Sequence, residues 1–163
     1  MSTVYQHRFD DITGYLHHRK PYLLVDAIKS ILDDSIETTA TVPADAFFIT
    51  GHFPGAPILP GAMMQEMTTQ SAGALIAANH NPMKEFNTEN PFFNQQALGV
   101  LVKVSRARYR GFARPGDNLQ IHVHLQEHVG DLFDFVGRIM LGNETIYSNA
   151  FQLTNIPSSV LRG

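Results

Sequence analysis

Two side chains, His52 and Glu66, have the types and the surroundings that proton chemistry needs. His52 lies in Gly51-His52-Phe53-Pro54-Gly55-Ala56-Pro57-Ile58-Leu59-Pro60-Gly61, which holds three glycines and three prolines in eleven residues. At that density the backbone follows a fixed irregular path and does not form a regular element. An imidazole is the side chain best suited to accept a proton near neutral pH. Glu66 follows in the helical run Met63-Met64-Gln65-Glu66-Met67, where desolvation would raise its pKa towards proton donation. One base and one acid in an apolar setting is what abstraction of a proton beside a carbonyl requires. The spacing predicts that the loop holds the His52 imidazole against the Glu66 carboxylate. Gly61 opens the helix, where unpaired N–H groups and the positive end of the helix dipole can polarise a carbonyl and the missing side chain admits substrate. Gln70, one turn beyond Glu66, is placed to hydrogen-bond it. Taken singly, a histidine in a turn is ordinarily a structural residue and a helical glutamate is ordinarily solvated.

The elements that must position these groups follow an α+β order. Residues 22–28 (Tyr-Leu-Leu-Val-Asp-Ala-Ile) read as a buried strand, and residues 35–42, with Ile36, Thr38, Ala40 and Val42 in alternation, as its partner across Asp33-Asp34. Residues 43–49 suggest a short helical turn. Residues 62–78 form the one strong helix, ended by Asn79-His80-Asn81-Pro82. Residues 80–96, rich in Asn, Glu and Pro, read as a surface loop. Four strands follow, at 98–109, 118–128, 132–141 and 144–154, with Gly130-Asp131 and Gly142-Asn143 as hairpin signals. The helix is small and apolar nearly all round, so it needs cover on most sides. An antiparallel sheet wrapped around that one long central helix, in a single domain over residues 1–163, is the simplest solution.

Composition sets the outer limits. The 163 residues are 44% hydrophobic and 17% charged, the balance of a folded globular chain. A net charge of −3 gives no general attraction to nucleic acid or anionic membrane. Without cysteine there is no disulfide or thiolate chemistry. The first ten residues lack an apolar signal core and no apolar run approaches a membrane span, so a soluble cytoplasmic protein is expected.

The central motif, Gly51 to Gly61 with Glu66 and Gln70, resembles position by position the signature of the bacterial 3-hydroxyacyl-acyl-carrier-protein dehydratases. The resemblance extends to Leu16-x-His18-Arg19-x-Pro21-Tyr22-Leu23-Leu24-Val25-Asp26, and to Ala107-Arg108-Tyr109-Arg110 with Pro115-Gly116-Asp117. It implies a hot-dog fold and a homodimer, or an assembly of dimers, whose active sites lie at the subunit interface and are built from both chains. It also implies elimination of water from a 3-hydroxyacyl thioester on an acyl carrier protein, with no metal or redox cofactor. By position, His52 matches the catalytic histidine, Glu66 the catalytic carboxylate, and Gly61 the glycine whose N–H binds the thioester oxygen. Glutamate at 66 resembles the plain dehydratase branch, since the dehydratase-isomerase branch usually has aspartate. Phe53, Pro60, Met63 and Gln70 are expected to line the substrate site. Phe47, Phe48, Met64 and Met67 would suit an acyl channel and any apolar core equally well. Ala56, His17 and the polar insertion near residues 80–96 depart from the family pattern, and the insertion bears on chain-length preference. A hot-dog thioesterase and a non-catalytic carrier-binding subunit are the alternative readings.

Two further sets of residues recur at alternate positions. His122, His124 and His128 share strand parity, which suits a solvated outer face better than a metal site, and no metal is expected. Arg106, Arg108 and Arg110 also share parity, with Arg114 nearby, and form a candidate docking patch for an acidic carrier protein. Val102 and Val104 have the same parity as these arginines, which calls for a bulge near Ser105 or a strand that emerges from cover.

Overall fold

Residues 3–162 are described by the computed structural model. The chain forms β1 (Ala27–Ile31), β2 (Ser35–Thr41), α1 (Phe47–Thr50), α2 (Gly61–Asn79), β3 (Gln96–Tyr109), β4 (Asn118–Val129), β5 (Leu132–Leu141) and β6 (Glu144–Pro157). The strands make one six-stranded sheet in the order β1-β2-β4-β5-β6-β3, with every pairing antiparallel. Its inner face wraps α2, as the all-round apolar helix requires. Alternation sets the two faces of the sheet. Leu119, Ile121, Val123 and Leu125 of β4 are buried against the helix, as are Phe133, Phe135 and Ile139 of β5.

Every residue of α2 from Thr68 to Asn79 is buried. Such a helix has no polar stripe to choose its rotation, and buried hydrogen bonds supply the choice. Ser71 shares a 2.7 Å bond with Thr38 of β2, Asn149 of β6 donates to Thr68 Oγ1 at 2.8 Å, and Tyr147 donates to Gln65 Oε1 at 2.6 Å. Each rotation other than the observed one leaves several of these groups buried without partners, at about 1–3 kcal/mol apiece.

Three expectations are corrected by the structure. The segment 22–28 is mostly not a strand, since β1 begins only at Ala27. Leu23, Leu24 and Val25 are buried, yet Leu23 N–H bonds back to Arg19 and Leu24 N–H donates to the Gln70 side chain at 2.9 Å. An apolar run reports burial, and here the backbone is satisfied by a turn and a side chain instead of a ladder. The insertion is irregular as expected but is not simply on the surface. Asn81, Met83, Thr88 and Asn94 are buried, and His17 and Arg19 both bond to Thr88. Asn81, Thr88 and Asn94 are internal ties, while Lys84, Glu85, Asn87, Glu89, Asn90 and Gln95 face solvent.

The third correction concerns the histidines. A bulge between Leu125 and Glu127 in the β4–β5 pairing moves His128 opposite Phe133, where the two rings stack at 4.0 Å. His122 and His124 stay on the outer face, so the three do not share a side. Among the described residues no group of three or more His, Asp or Glu side chains gathers as a metal site. The expected irregularity near Ser105 is present as a register shift between Val104 and Arg106 in β3. β3 lies at the sheet edge, and from Leu101 to Tyr109 it is exposed.

Candidate active site

The loop before α2 is fixed by its own backbone. Phe53 and Ala56 exchange hydrogen bonds across Pro54-Gly55, where Gly55 takes a φ of 77° that other residues rarely adopt. Ile58 N–H returns to the His52 carbonyl at 2.9 Å, and Leu59 N–H bonds to Ala113 at 2.8 Å. These contacts hold the His52 ring, which stacks on Phe53 at 4.5 Å. Nδ1 of His52 lies 3.2 Å from the Ile58 carbonyl. A carbonyl only accepts, so Nδ1 carries the hydrogen and Nε2 keeps a free lone pair, the tautomer that a general base needs.

Pro60 caps α2 without a side-chain bond, and its carbonyl accepts from Met63 N–H at 2.9 Å. The first turn has no acidic side chain, so the N–H groups of Gly61 and Ala62 and the positive end of the dipole remain uncompensated. A Cβ at Gly61 would come within 2.5 Å of the Tyr109 ring, so a larger residue there requires that ring to move.

Glu66 is held through Gln70, which itself makes three hydrogen bonds. Gln70 Nε2 donates to Glu66 Oε1 at 3.0 Å and also to the Tyr22 carbonyl at 2.8 Å, while Gln70 Oε1 accepts from Leu24. Gln70 is 1% exposed, so this fully used amide ties the carboxylate to the 22–24 segment. Burial pushes the Glu66 carboxyl above its usual range, and hydrogen bonding from Gln70 and Tyr22 only partly offsets it. The result is a carboxyl biased towards its protonated form, as a proton donor should be.

The expected contact between His52 and Glu66 does not occur within one chain. The imidazole within 4 Å of Glu66 is that of His18, with Nε2 at 3.9 Å. Burial lowers the His18 pKa, with His17 and Arg19 adding to the effect, which favours the neutral ring beside the carboxyl. His18 also stacks on Tyr22 at 5.7 Å. The structure therefore brings together Glu66, Gln70, His18 and Tyr22, and leaves His52 on its own loop with Phe53. Sequence reading missed Tyr22 and His18 as neighbours of Glu66. Their only linear signal was membership of one Pro-containing segment, because no helical or strand period relates them to residue 66.

Met63 is half-buried beside Pro60 and Gly61, whereas Phe53 is 56% exposed. The arginines follow β3 along the sheet and do not converge on the helix. Arg106 pairs across to Ala150 and Arg108 to Ser148, and Arg110 donates to the Ser148 hydroxyl at 3.1 Å. Arg114 lies on the following loop, whose Ala113 carbonyl anchors Leu59.

Residues 16–150 match the model of the FabA-like domain. The chain belongs to the FabA-like family. It is 30% identical over 132 residues to the 3-hydroxyacyl-(acyl-carrier-protein) dehydratase FabZ of Thiobacillus denitrificans, covering 79% of this chain and 83% of that one. Against the Coxiella burnetii enzyme of the same name it is 33% identical over 135 residues, covering 82% and 89%. Among solved structures, the dehydratase heterocomplex ApeI:P of Xenorhabdus doucetiae superposes with a TM-score of 0.76 at 21% identity, covering 94% of this chain and 96% of that one. The Escherichia coli PaaI protein superposes at 0.58 and 12% identity, over 78% and 80%. The likeness to these structures establishes the hot-dog fold.

Proposed function

We propose that this protein dehydrates a 3-hydroxyacyl chain carried by an acyl carrier protein, giving the trans-2-enoyl thioester in fatty acid biosynthesis. The observation that carries the reading is the desolvated Glu66 carboxyl on α2, clamped by Gln70 at 3.0 Å, in a chain of the FabA-like family. His52 Nε2 takes the proton from the carbon beside the thioester carbonyl. The electron pair left behind forms the new carbon–carbon double bond as the bond from C3 to its oxygen breaks. Glu66 gives its proton to the departing hydroxyl, which leaves as water. Gly61 N–H holds the thioester oxygen while negative charge gathers there. Proton exchange with solvent then restores neutral His52 and protonated Glu66.

The active unit is a homodimer working in the cytoplasm, with His52 of one subunit facing Glu66 of the other. This reading is supported by their separation within a single chain and by the apolar surface left open along one edge. Tyr109 is 55% exposed and Val102 51%, along a β3 edge that among the described residues has no further strand to pair with. A second copy would cover all of these groups. Complementation separates this arrangement from a site within one chain. Mixed dimers of His52→Ala and Glu66→Gln subunits contain one intact shared site, so random mixing should restore about a quarter of native turnover. No recovery in dimers shown to have exchanged subunits overturns the shared site.

Of the four arginines expected to dock the acidic carrier, Arg108, Arg110 and Arg114 form the landing surface in this reading, and Arg106 borders a groove on the outer face of the sheet. Incubation with 3-hydroxyacyl carrier substrates of several lengths, followed by mass spectrometry, tests the reaction itself. A product lighter by one water supports dehydration. Release of the free carrier thiol would point to a thioesterase, and binding without conversion to a carrier-binding subunit.

A further inference from the structure

On the outer face of the sheet, with the sheet itself between it and α2, lies a groove of about 490 Å³ that the reaction above does not use. Its floor follows from strand register. One cross-strand row runs Glu37, His122, Arg138, Ser148, Arg108, and the adjacent row runs Ser35, His124, Val136, Ala150, Arg106. Register alone therefore sets Arg138 and Arg106 in neighbouring rows, two strands apart. Strands are spaced by about 4.8 Å, so these positions are roughly 10–12 Å apart, within the combined reach of two arginine side chains.

The charges in the groove are unequal. Glu37 is the one carboxylate in its lining, and it is already faced by His122 at 3.8 Å. Among the described residues, Arg106 and Arg138 have no hydrogen-bond or ion-pair partner, and neither does the His124 ring. Two uncommitted guanidinium groups, an imidazole and the Ser35 and Ser148 hydroxyls thus border one groove in a protein whose net charge is −3. An anion that both guanidinium groups can fork onto gains charge-assisted hydrogen bonds from each.

We propose that this groove binds a phosphate monoester of a small organic molecule. A tetrahedral dianion can accept from donors on several sides at once, whereas a planar carboxylate offers fewer oxygens to the same set. The volume greatly exceeds one phosphate, and Leu32 and Val136 supply an apolar wall for the organic body. Occupancy leaves the catalytic groups untouched, because Glu66 and Gln70 lie on α2 against the opposite face.

The test uses the intact protein and phenyl phosphate, with inorganic phosphate and benzoate as comparison ligands, read by calorimetry and by the NMR signals of the histidine rings. Phenyl phosphate should bind saturably and shift the His124 signals. Arg138→Gln should weaken it by about tenfold or more, the loss of one charged hydrogen-bonding partner. Turnover of a carrier-free 3-hydroxyacyl thioester by Arg138→Gln should equal that of the wild type, which shows that the variant is folded. Weaker binding of inorganic phosphate than of phenyl phosphate assigns the organic body a role, and equal binding of the two overturns the ester in favour of a simple phosphate site. Equal affinity for benzoate, unchanged affinity in Arg138→Gln, or titrations that never saturate would each overturn the proposal.

Discussion

The two faces of one sheet treat their polar groups in opposite ways. Against α2, Gln70, Ser71, Thr38 and Thr68 are buried, and each has a hydrogen-bond partner at 3.0 Å or less. On the outer face Arg106, Arg138 and His124 have none. Inside, the low dielectric makes an unpaired polar atom costly and lets burial raise the pKa of the Glu66 carboxyl. Outside, water and salt screen charges over about 8–10 Å, so positive groups can stand side by side at little cost and await a partner. The proposed chemistry uses the inner face, and the proposed recognition of anions the outer one.

The largest expected effect tests the inner face. Glu66→Gln keeps the shape and much of the hydrogen bonding but removes the titrating proton. General acid–base groups contribute roughly 10²–10⁴-fold, so both this variant and His52→Ala should lose dehydration by about that factor while remaining folded. Near-native turnover by Glu66→Gln would end the assignment of Glu66 as the acid. Next comes the clamp. Gln70→Leu leaves the buried Leu24 N–H without an acceptor and should lower unfolding free energy by about 1–3 kcal/mol in urea titrations. A stability within error of wild type would show that the 22–24 segment is held by packing alone.

The outer face should respond more weakly and in a salt-dependent manner. Reversing Arg108 and Arg110 to Glu should reduce kcat/KM for carrier-bound substrate several-fold at low salt, with the loss shrinking as salt rises. Turnover of a carrier-free thioester should change little, and equal losses on both substrates would remove these arginines from the landing surface.

The smallest effect is one of sign. Burial lowers the pKa of His17, His18 and His80, so the unfolded chain binds protons more readily than the folded one near pH 6.5. Their contribution is present above that pH and is lost as pH falls through it. Glu66 has the opposite sign, since its raised pKa lets the folded state hold the proton longer and its contribution declines as pH rises above about 4.3. Melting temperatures should therefore rise from pH 5 to pH 7, and rise more steeply in Glu66→Gln. An unchanged rise in that variant would mean that Glu66 titrates alike in the folded and unfolded chain, and a shallower one that folding lowers its pKa.

Much of this was legible in the linear chain. Alternation placed β2, β4, β5 and β6 within a few residues of their ends, because one face of each is buried and the other wet. The all-round apolar character of α2 required a sheet around it. The loop motif marked His52, Gly61 and Glu66, since fixed backbone and helix start are local properties. The strain of Val102 and Val104 against the arginine parity even announced the irregularity at Ser105. Other features had no local trace. The 23–25 run is buried without being a strand because Gln70, far along the chain, accepts from the Leu24 N–H. His128 changes face through a single bulged residue that no periodicity encodes.

Glu66 was visible as a carboxylate on an apolar helix, but its bias towards the proton came from packing that desolvates it. Its neighbours, His18 and Tyr22, came from a segment related to it by no period. Residue type and short-range spacing thus determined which groups can do chemistry and which elements carry them. Only the tertiary structure decided which groups meet, because burial, register and the hydrogen bonds that satisfy a buried amide depend on residues distant in sequence.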